Sequence, residues 1–155
     1  MNMKRNSSRL SVDYSGEPLT SRIEVKVRFS EVDSIRVVWH GSYVKYMEDG
    51  REDFGEKYGL EYMTIFNNGY TAPMVDMSLR YLQSATVGDT VIVETRYVPT
   101  KSAKIIFEYS IFRKSDNALL LTATTIQVFM NKSDGNLQLN NPPFYEEWKK
   151  RWGVE

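Results

Sequence analysis

The chain has 155 residues, enough for one domain, and no Pro-, Gly- or Ser-rich linker divides it. Its 20 basic and 20 acidic residues cancel, so no global field draws nucleic acid or an anionic membrane, and the absence of cysteine removes disulfides, thiolate metal sites and cysteine nucleophiles together. The opening residues are polar and mixed, no later run is apolar enough to span a bilayer, and a soluble, cytoplasmic protein is expected.

Residues Met1 to Ser21 carry little periodic apolar signal and read as an N-terminal arm, leaving 22–155 as a single domain. Alternation then begins: Ile23, Val25, Val27 and Phe29 interleave with Arg22, Glu24, Lys26 and Arg28, the period of a strand with one buried face. From about Gly41 to Tyr58 the period lengthens. Tyr43, Met47, Gly50, Phe54 and Tyr58 recur every three or four residues, which predicts one amphipathic helix ending near Gly59. Gly50 on its apolar stripe costs about 1 kcal/mol of helix propensity against alanine, so a close approach of the helix backbone to a sheet is expected.

After a looser stretch through Asn67-Asn68-Gly69, four strand-like runs follow: about Ala72 to Tyr81, Thr90 to Val98, Lys104 to Arg113 and Leu119 to Met130. Their separators, Thr86-Val87-Gly88-Asp89, Pro99-Thr100-Lys101-Ser102 and Ser115-Asp116-Asn117, are short and turn-rich, which favours antiparallel neighbours. At the C-terminus Asn141 is the expected cap of a short helix with Pro142 and Pro143 in its first turn and Phe144, Trp148 and Trp152 along one face. One strand, one long helix, four strands and a terminal helix fit an α+β fold, because no helices separate the later strands.

The stretch Phe29-Ser30-Glu31-Val32-Asp33-Ser34-Ile35-Arg36-Val37-Val38-Trp39-His40-Gly41, with Glu48 and Arg51 on the helix behind it, closely resembles the start of hotdog-fold acyl-CoA thioesterases of the 4-hydroxybenzoyl-CoA thioesterase type. Their pattern runs strand, Phe, acid-x-Asp-x-x-Gly, two apolar residues, an aromatic, His or Tyr, then a helix with an internal acid and Arg. A second anchor is Ser84-Ala85-Thr86-Val87-Gly88-Asp89, similar to the family's Gly-Asp turn before the third strand. The resemblance covers about Ile23 to Met130. It implies a hotdog fold, an antiparallel sheet wrapped around one long central helix, here with a short C-terminal helix, and homo-oligomers, dimers or tetramers, with sites between subunits.

Thioester hydrolysis needs a group that is or delivers a nucleophile, a stabiliser of charge on the carbonyl oxygen, and a pocket for the acyl group. Asp33 is the candidate acid, as nucleophile or as general base toward water; its bland alternative is a turn carboxylate. The first amides of the long helix lack intrahelical partners and lie at the positive end of its dipole, and the resemblance implies that the amide near His40 polarises the carbonyl. His40, the only histidine, is the candidate assistant.

Trp39, Gly41 and Tyr43 are candidate substrate-binding residues, and Tyr46, Met47 and Met74 are further aromatics and methionines that either line an acyl pocket or serve as ordinary core. Glu48 and Arg51, three apart, read most simply as a helix-stabilising ion pair, with Glu48 as a possible secondary catalytic carboxylate. Arg36 stands where the family has glycine. If that glycine serves a positive backbone dihedral, the loop is expected to differ locally, and Arg36 becomes a candidate cation for coenzyme A phosphates or an acyl carboxylate. Lys101 and Lys104, flanking the turn into the fourth strand, are candidates for the same phosphates.

No Gly-x-Ser-x-Gly elbow, calcium loop, zinc set or dinucleotide fingerprint is present. The expectation is therefore an acyl-CoA thioesterase with no cofactor, coenzyme A entering as part of the substrate. The alternatives are acyl-carrier-protein thioester hydrolysis and a non-catalytic acyl-CoA-binding domain.

Overall fold

The computed structural model describes residues 19–155. Residues 1–18 of the expected arm lie outside the described residues, while Thr20 and Ser21 already belong to the first strand. In chain order the elements are β1 (Thr20–Lys26), a 3-10 turn (Phe29–Glu31), α1 (Ser42–Tyr58), α2 (Tyr62–Asn67), β2 (Tyr70–Thr71), β3 (Met74–Tyr81), β4 (Thr90–Val98), β5 (Lys104–Arg113), β6 (Leu119–Val128), β7 (Met130–Asn131) and α3 (Pro143–Trp152).

Five strands form one sheet in the order β1-β4-β5-β6-β3, every neighbouring pair antiparallel, and β2 pairs with β7 in a small second sheet. Short turns join β4, β5 and β6 as hairpin neighbours. The chain between β1 and β4 places α1 against β1 and β4 and sends β3 to the opposite edge. The helix-facing side of the sheet carries the alternate residues Ile105, Phe107, Tyr109 and Ile111 of β5, all buried, with Phe107 edge-on to Phe54 of α1. Phe54 is fully buried, which contributes about 2–3 kcal/mol of transfer free energy.

Gly50 lies where the helix backbone meets β4. A Cβ there would stand 2.5 Å from Thr95 Oγ1 and 2.8 Å from Val93 Cγ1, so the apolar stripe needs a residue without a side chain. The helix ends at Gly59, whose left-handed φ of 75° lets its N–H reach Gly55 O at 2.8 Å. The Tyr58 carbonyl beyond the last turn receives two indole N–H groups from α3, Trp148 Nε1 at 2.7 Å and Trp152 Nε1 at 3.0 Å, so the terminal helix closes the end of the central one.

Four details differ from the periodicity. The first strand stops at Lys26, and Phe29, expected on its buried face, is 77% exposed, because the chain leaves the sheet through the Phe29–Glu31 turn. Part of the stretch through Asn67 is the helix α2, whose single polar-apolar turn is too short to show a period. The last expected strand divides at Phe129 into β6 and β7. Asn141 does not cap α3: Pro142 holds the cap position, Pro142 and Pro143 offer no N–H for an Asn oxygen to accept, and the Asn141 amide instead donates to Glu146 Oε1 at 2.7 Å.

Candidate active site

Between the 3-10 turn and α1 the chain makes a tight loop. Val32 and Val38 form an antiparallel bridge, the Asp33 N–H donates to Val37 O at 2.8 Å, and the Arg36 N–H donates to Asp33 O at 3.0 Å. Asp33 Oδ1 accepts the Ile35 N–H at 3.0 Å and the Val37 N–H at 3.3 Å, the turn-stabilising role open to any loop aspartate. Its second oxygen has no hydrogen-bond partner among the described residues. One oxygen of Asp33 thus holds the loop and the other is available.

The loop does not avoid the conformation that the glycine of the family pattern permits. Arg36 itself takes φ = 67°, one of two non-glycine residues with positive φ among those described. An arginine thus occupies a left-handed position that costs an L-residue about 1–2 kcal/mol.

The loop base is tied to the helix start through Glu31. Its carbonyl accepts the Trp39 N–H and the Ser42 hydroxyl, both at 2.9 Å, and Val38 N–H reaches across to Ala85 O at 2.9 Å. At the helix start Ser42 N–H donates to Trp39 O and Val44 N–H to Gly41 O, whereas the amides of His40, Gly41 and Tyr43 have no acceptor among the described residues. No acidic side chain occupies the first turn of α1, so the positive end of its dipole is uncompensated there. Gly41 lets the Trp39 ring lie over the helix start: a Cβ on it would stand 2.2 Å from that half-exposed indole and displace it, and the ring rests 4.9 Å from the imidazole of His40.

Asp33 and His40 line one recess of about 310 Å³, together with Val38, Tyr43, Tyr81 and the chain from Leu82 to Ser84. Tyr43 is buried, which raises its phenol, and its hydroxyl accepts the Ala85 N–H at 3.3 Å. Trp39, half exposed, stands beside this recess through its contact with His40. The structure therefore brings together Asp33, His40, Gly41, Tyr43 and Trp39.

Other candidates fall elsewhere. Tyr46 and Met47 are fully buried core, and Met74 sits at the far end of β3 from Tyr81. Glu48 lines a separate recess of about 460 Å³ along the C-terminal half of α1, with Arg51, Leu60, Ile65, Ile105 and Phe107, and shares no wall with the Asp33 recess within one chain. The expected Glu48–Arg51 ion pair is not among those of the described residues. The guanidinium turns inward instead, toward the buried Tyr109 hydroxyl, with Nη1 enclosed and unpartnered. Lys101 and Lys104 are exposed at the opposite end of the sheet: Tyr81 pairs with Leu121 and Leu121 with Ile111, and the span from Lys104 to Ile111 along β5 is roughly 24 Å at strand rise.

Sequence reasoning missed Tyr81. It ends the edge strand β3, packs edge-on against Tyr43 with ring centroids 5.7 Å apart, and donates its hydroxyl to His40 O at 2.9 Å. Nothing in its alternating polar-apolar surroundings marks one aromatic at a strand end as reaching a loop 41 residues away. Chemically, the recess is lined by Asp33, one carboxylate oxygen of which has no hydrogen-bond partner among the described residues, and by His40 at the helix start, whose amide has no acceptor among them.

A family model described as the thioesterase-like superfamily matches residues 27–151. The chain is 28% identical over 105 residues to an acyl-CoA thioesterase of Haemophilus influenzae, covering 67% of this chain and 75% of that one. It is also 28% identical over 109 residues to a chloroplastic acyl-acyl carrier protein thioesterase of Arabidopsis thaliana, covering 70% of this chain but 57% of the plant protein. Among solved structures, 4-hydroxybenzoyl CoA thioesterase from Pseudomonas sp. strain CBS-3 superposes with a TM-score of 0.71 at 20% identity, over 83% of this chain and 98% of that one. With an antiparallel sheet packed on one long helix and a family match running from the end of the first strand into the last helix, the chain belongs to the thioesterase-like superfamily of hotdog-fold thioester hydrolases.

Proposed function

We propose that this chain hydrolyses acyl-CoA thioesters to a free acid and coenzyme A in the recess between Asp33 and the start of α1. The observation that carries this is that one recess is lined both by Asp33, with an available carboxylate oxygen, and by His40 at a helix start whose amides have no acceptor among the described residues. The Asp33 oxygen either attacks the thioester carbonyl, breaking the C–S bond to expel the coenzyme A thiolate and giving a mixed anhydride that water cleaves to the free acid and the restored carboxylate, or takes a proton from a water that attacks the carbonyl and expels the same thiolate. The amides near His40 stabilise the charge that develops on the carbonyl oxygen. His40 assists at the same wall, Trp39, Gly41 and Tyr43 shape the acyl side, and no cofactor is needed because coenzyme A arrives with the substrate.

The same proposal includes a homo-oligomer. The sheet ends at β3, whose outer edge is unpaired among the described residues and exposes Val75 and Met77, a template for a second copy. Such a copy gives Lys101 and Lys104 a role that distance denies them within one chain, at the phosphates of coenzyme A, with Arg36 at the loop tip as a further cation. No helix among the described residues is long and apolar enough to cross a membrane, and a cytoplasmic location belongs to this reading.

Acyl-carrier-protein thioesters are the second reading, favoured by the similarity to the chloroplastic relative. A non-catalytic binding domain draws its weight from Arg36 standing where the family pattern has glycine; against it, Arg36 takes a left-handed φ of 67°, a conformation open to glycine. The test is free-thiol release from short, long and aromatic acyl-CoAs, with Asp33→Asn beside the wild type. Turnover abolished in a folded variant supports the proposal; a wild type inert toward every member removes it in favour of carrier-protein substrates or binding alone.

A further inference from the structure

Two consecutive peptide planes at the start of α1 are each held through their carbonyl oxygens. Ser42 N–H donates to Trp39 O at 2.8 Å, which fixes the plane containing the His40 N–H. The Tyr81 hydroxyl donates to His40 O at 2.9 Å, which fixes the plane containing the Gly41 N–H. In a trans peptide the C=O and the following N–H point in opposite directions, so holding the oxygen aims the hydrogen. Neither the His40 nor the Gly41 amide spends its hydrogen on an acceptor among the described residues.

We infer that Tyr81 is a positioning residue for the carbonyl-polarising amides, acting through the His40 carbonyl. This rests on the thioesterase reading and adds to it a residue from the far edge of the sheet. The hydroxyl also occupies a lone pair of His40 O, an oxygen on a residue that lines the recess where negative charge develops during thioester hydrolysis. Released, that peptide is free to rotate and to present its oxygen, which repels the developing charge, where its neighbour's N–H now points. Tyr81 is itself held, its ring edge-on to buried Tyr43, whose hydroxyl is anchored on Ala85 N–H. The bond thus links the rigid sheet to the loop carrying the histidine.

The test is Tyr81→Phe, which keeps the ring contact with Tyr43 and removes only the donor. Preorganised donors gain their effect in the transition state, so kcat is expected to fall about tenfold with KM changed less than about twofold. In parallel, the NMR order parameter of the Gly41 N–H is expected to drop while those of α1 beyond its first turn stay unchanged. Tyr81→Leu, which removes ring and hydroxyl together, serves as a second variant and is expected to fall at least as far. An unchanged kcat in both variants, a rise in KM alone, or an unchanged Gly41 order parameter overturns the positioning role while leaving the thioesterase reading in place. A wild type that hydrolyses no thioester overturns both.

Discussion

The hydroxyl of Tyr46, in the second turn of α1, donates to Glu31 Oε1 at 3.0 Å, and the same oxygen accepts the Arg28 N–H at 2.8 Å. Because the Glu31 carbonyl also receives Trp39 N–H and Ser42 Oγ, one residue ties the entry of the Asp33 loop, its exit and the central helix together. Burial and the neighbouring Glu31 carboxylate both raise the Tyr46 phenol well above its ordinary value, so it remains a donor at any working pH.

Glu31→Ala removes two side-chain bonds, one from a buried phenol, and is expected to lower stability by about 1–3 kcal/mol. Glu31→Gln keeps an acceptor oxygen and is expected to lose less than half of that. Urea unfolding of the two variants checks the ranking; equal losses would show that the bond to Tyr46 is not what holds the loop.

Arg36→Gly relieves the left-handed strain of about 1–2 kcal/mol, offset by the greater freedom of glycine in the unfolded chain, roughly 0.4–1 kcal/mol. A net gain of about 0.5–1 kcal/mol is expected, read as a melting temperature raised by a few degrees. If Arg36 serves coenzyme A phosphates, the same variant shows a higher KM for acyl-CoA and a weaker dependence of KM on salt. A lower melting temperature would contradict the strain argument.

Gly50→Ala places a methyl group against Thr95 Oγ1 and the Val93 side chain, both in the sheet core, where neither can withdraw cheaply. Overpacking at such a contact costs about 1–3 kcal/mol, against roughly 1 kcal/mol returned by helix propensity. The expected net effect is destabilisation, measured by denaturant midpoint. Gain of stability would mean that α1 can move off β4.

Alkali should unfold the protein. Burial pushes the Tyr97 phenol up to about 12 even though the hydroxyl of Tyr145, 2.6 Å away, partly offsets it, and burial raises Tyr145 further. The folded state therefore holds protons that the unfolded chain releases near its ordinary value of 10.0. The stability from Tyr97 is fully present below about pH 10 and is lost as pH rises toward 12, about 2–3 kcal/mol for a shift of that size. Tyrosinate absorbance and circular dichroism should change together above pH 10. Full tyrosine ionisation before any loss of structure would remove the basis of this prediction.

Much of the fold was legible because burial on one face imposes a period on the residues that provide it. The spans Thr90–Val98 and Lys104–Arg113 coincide with β4 and β5, and the helix ending at Tyr58 with Gly59 beyond it follows from the spacing of Phe54 and Tyr58 and the freedom of glycine. The loop from Asp33 to His40 was legible as a pattern of residue types.

What the pattern left undetermined depends on direction in space. Only the tertiary structure shows that Arg51 turns to Tyr109 and not to Glu48, that Lys104 stands a sheet's length from Asp33, and that Tyr81 reaches the His40 carbonyl. A sequence determines by itself which faces must be buried, since that follows from the chemistry of each side chain and the local period of the backbone. Which distant polar groups meet is decided when the faces close, because a hydrogen bond requires about 3 Å and a correct angle, and neither is encoded in the order of residues along the chain.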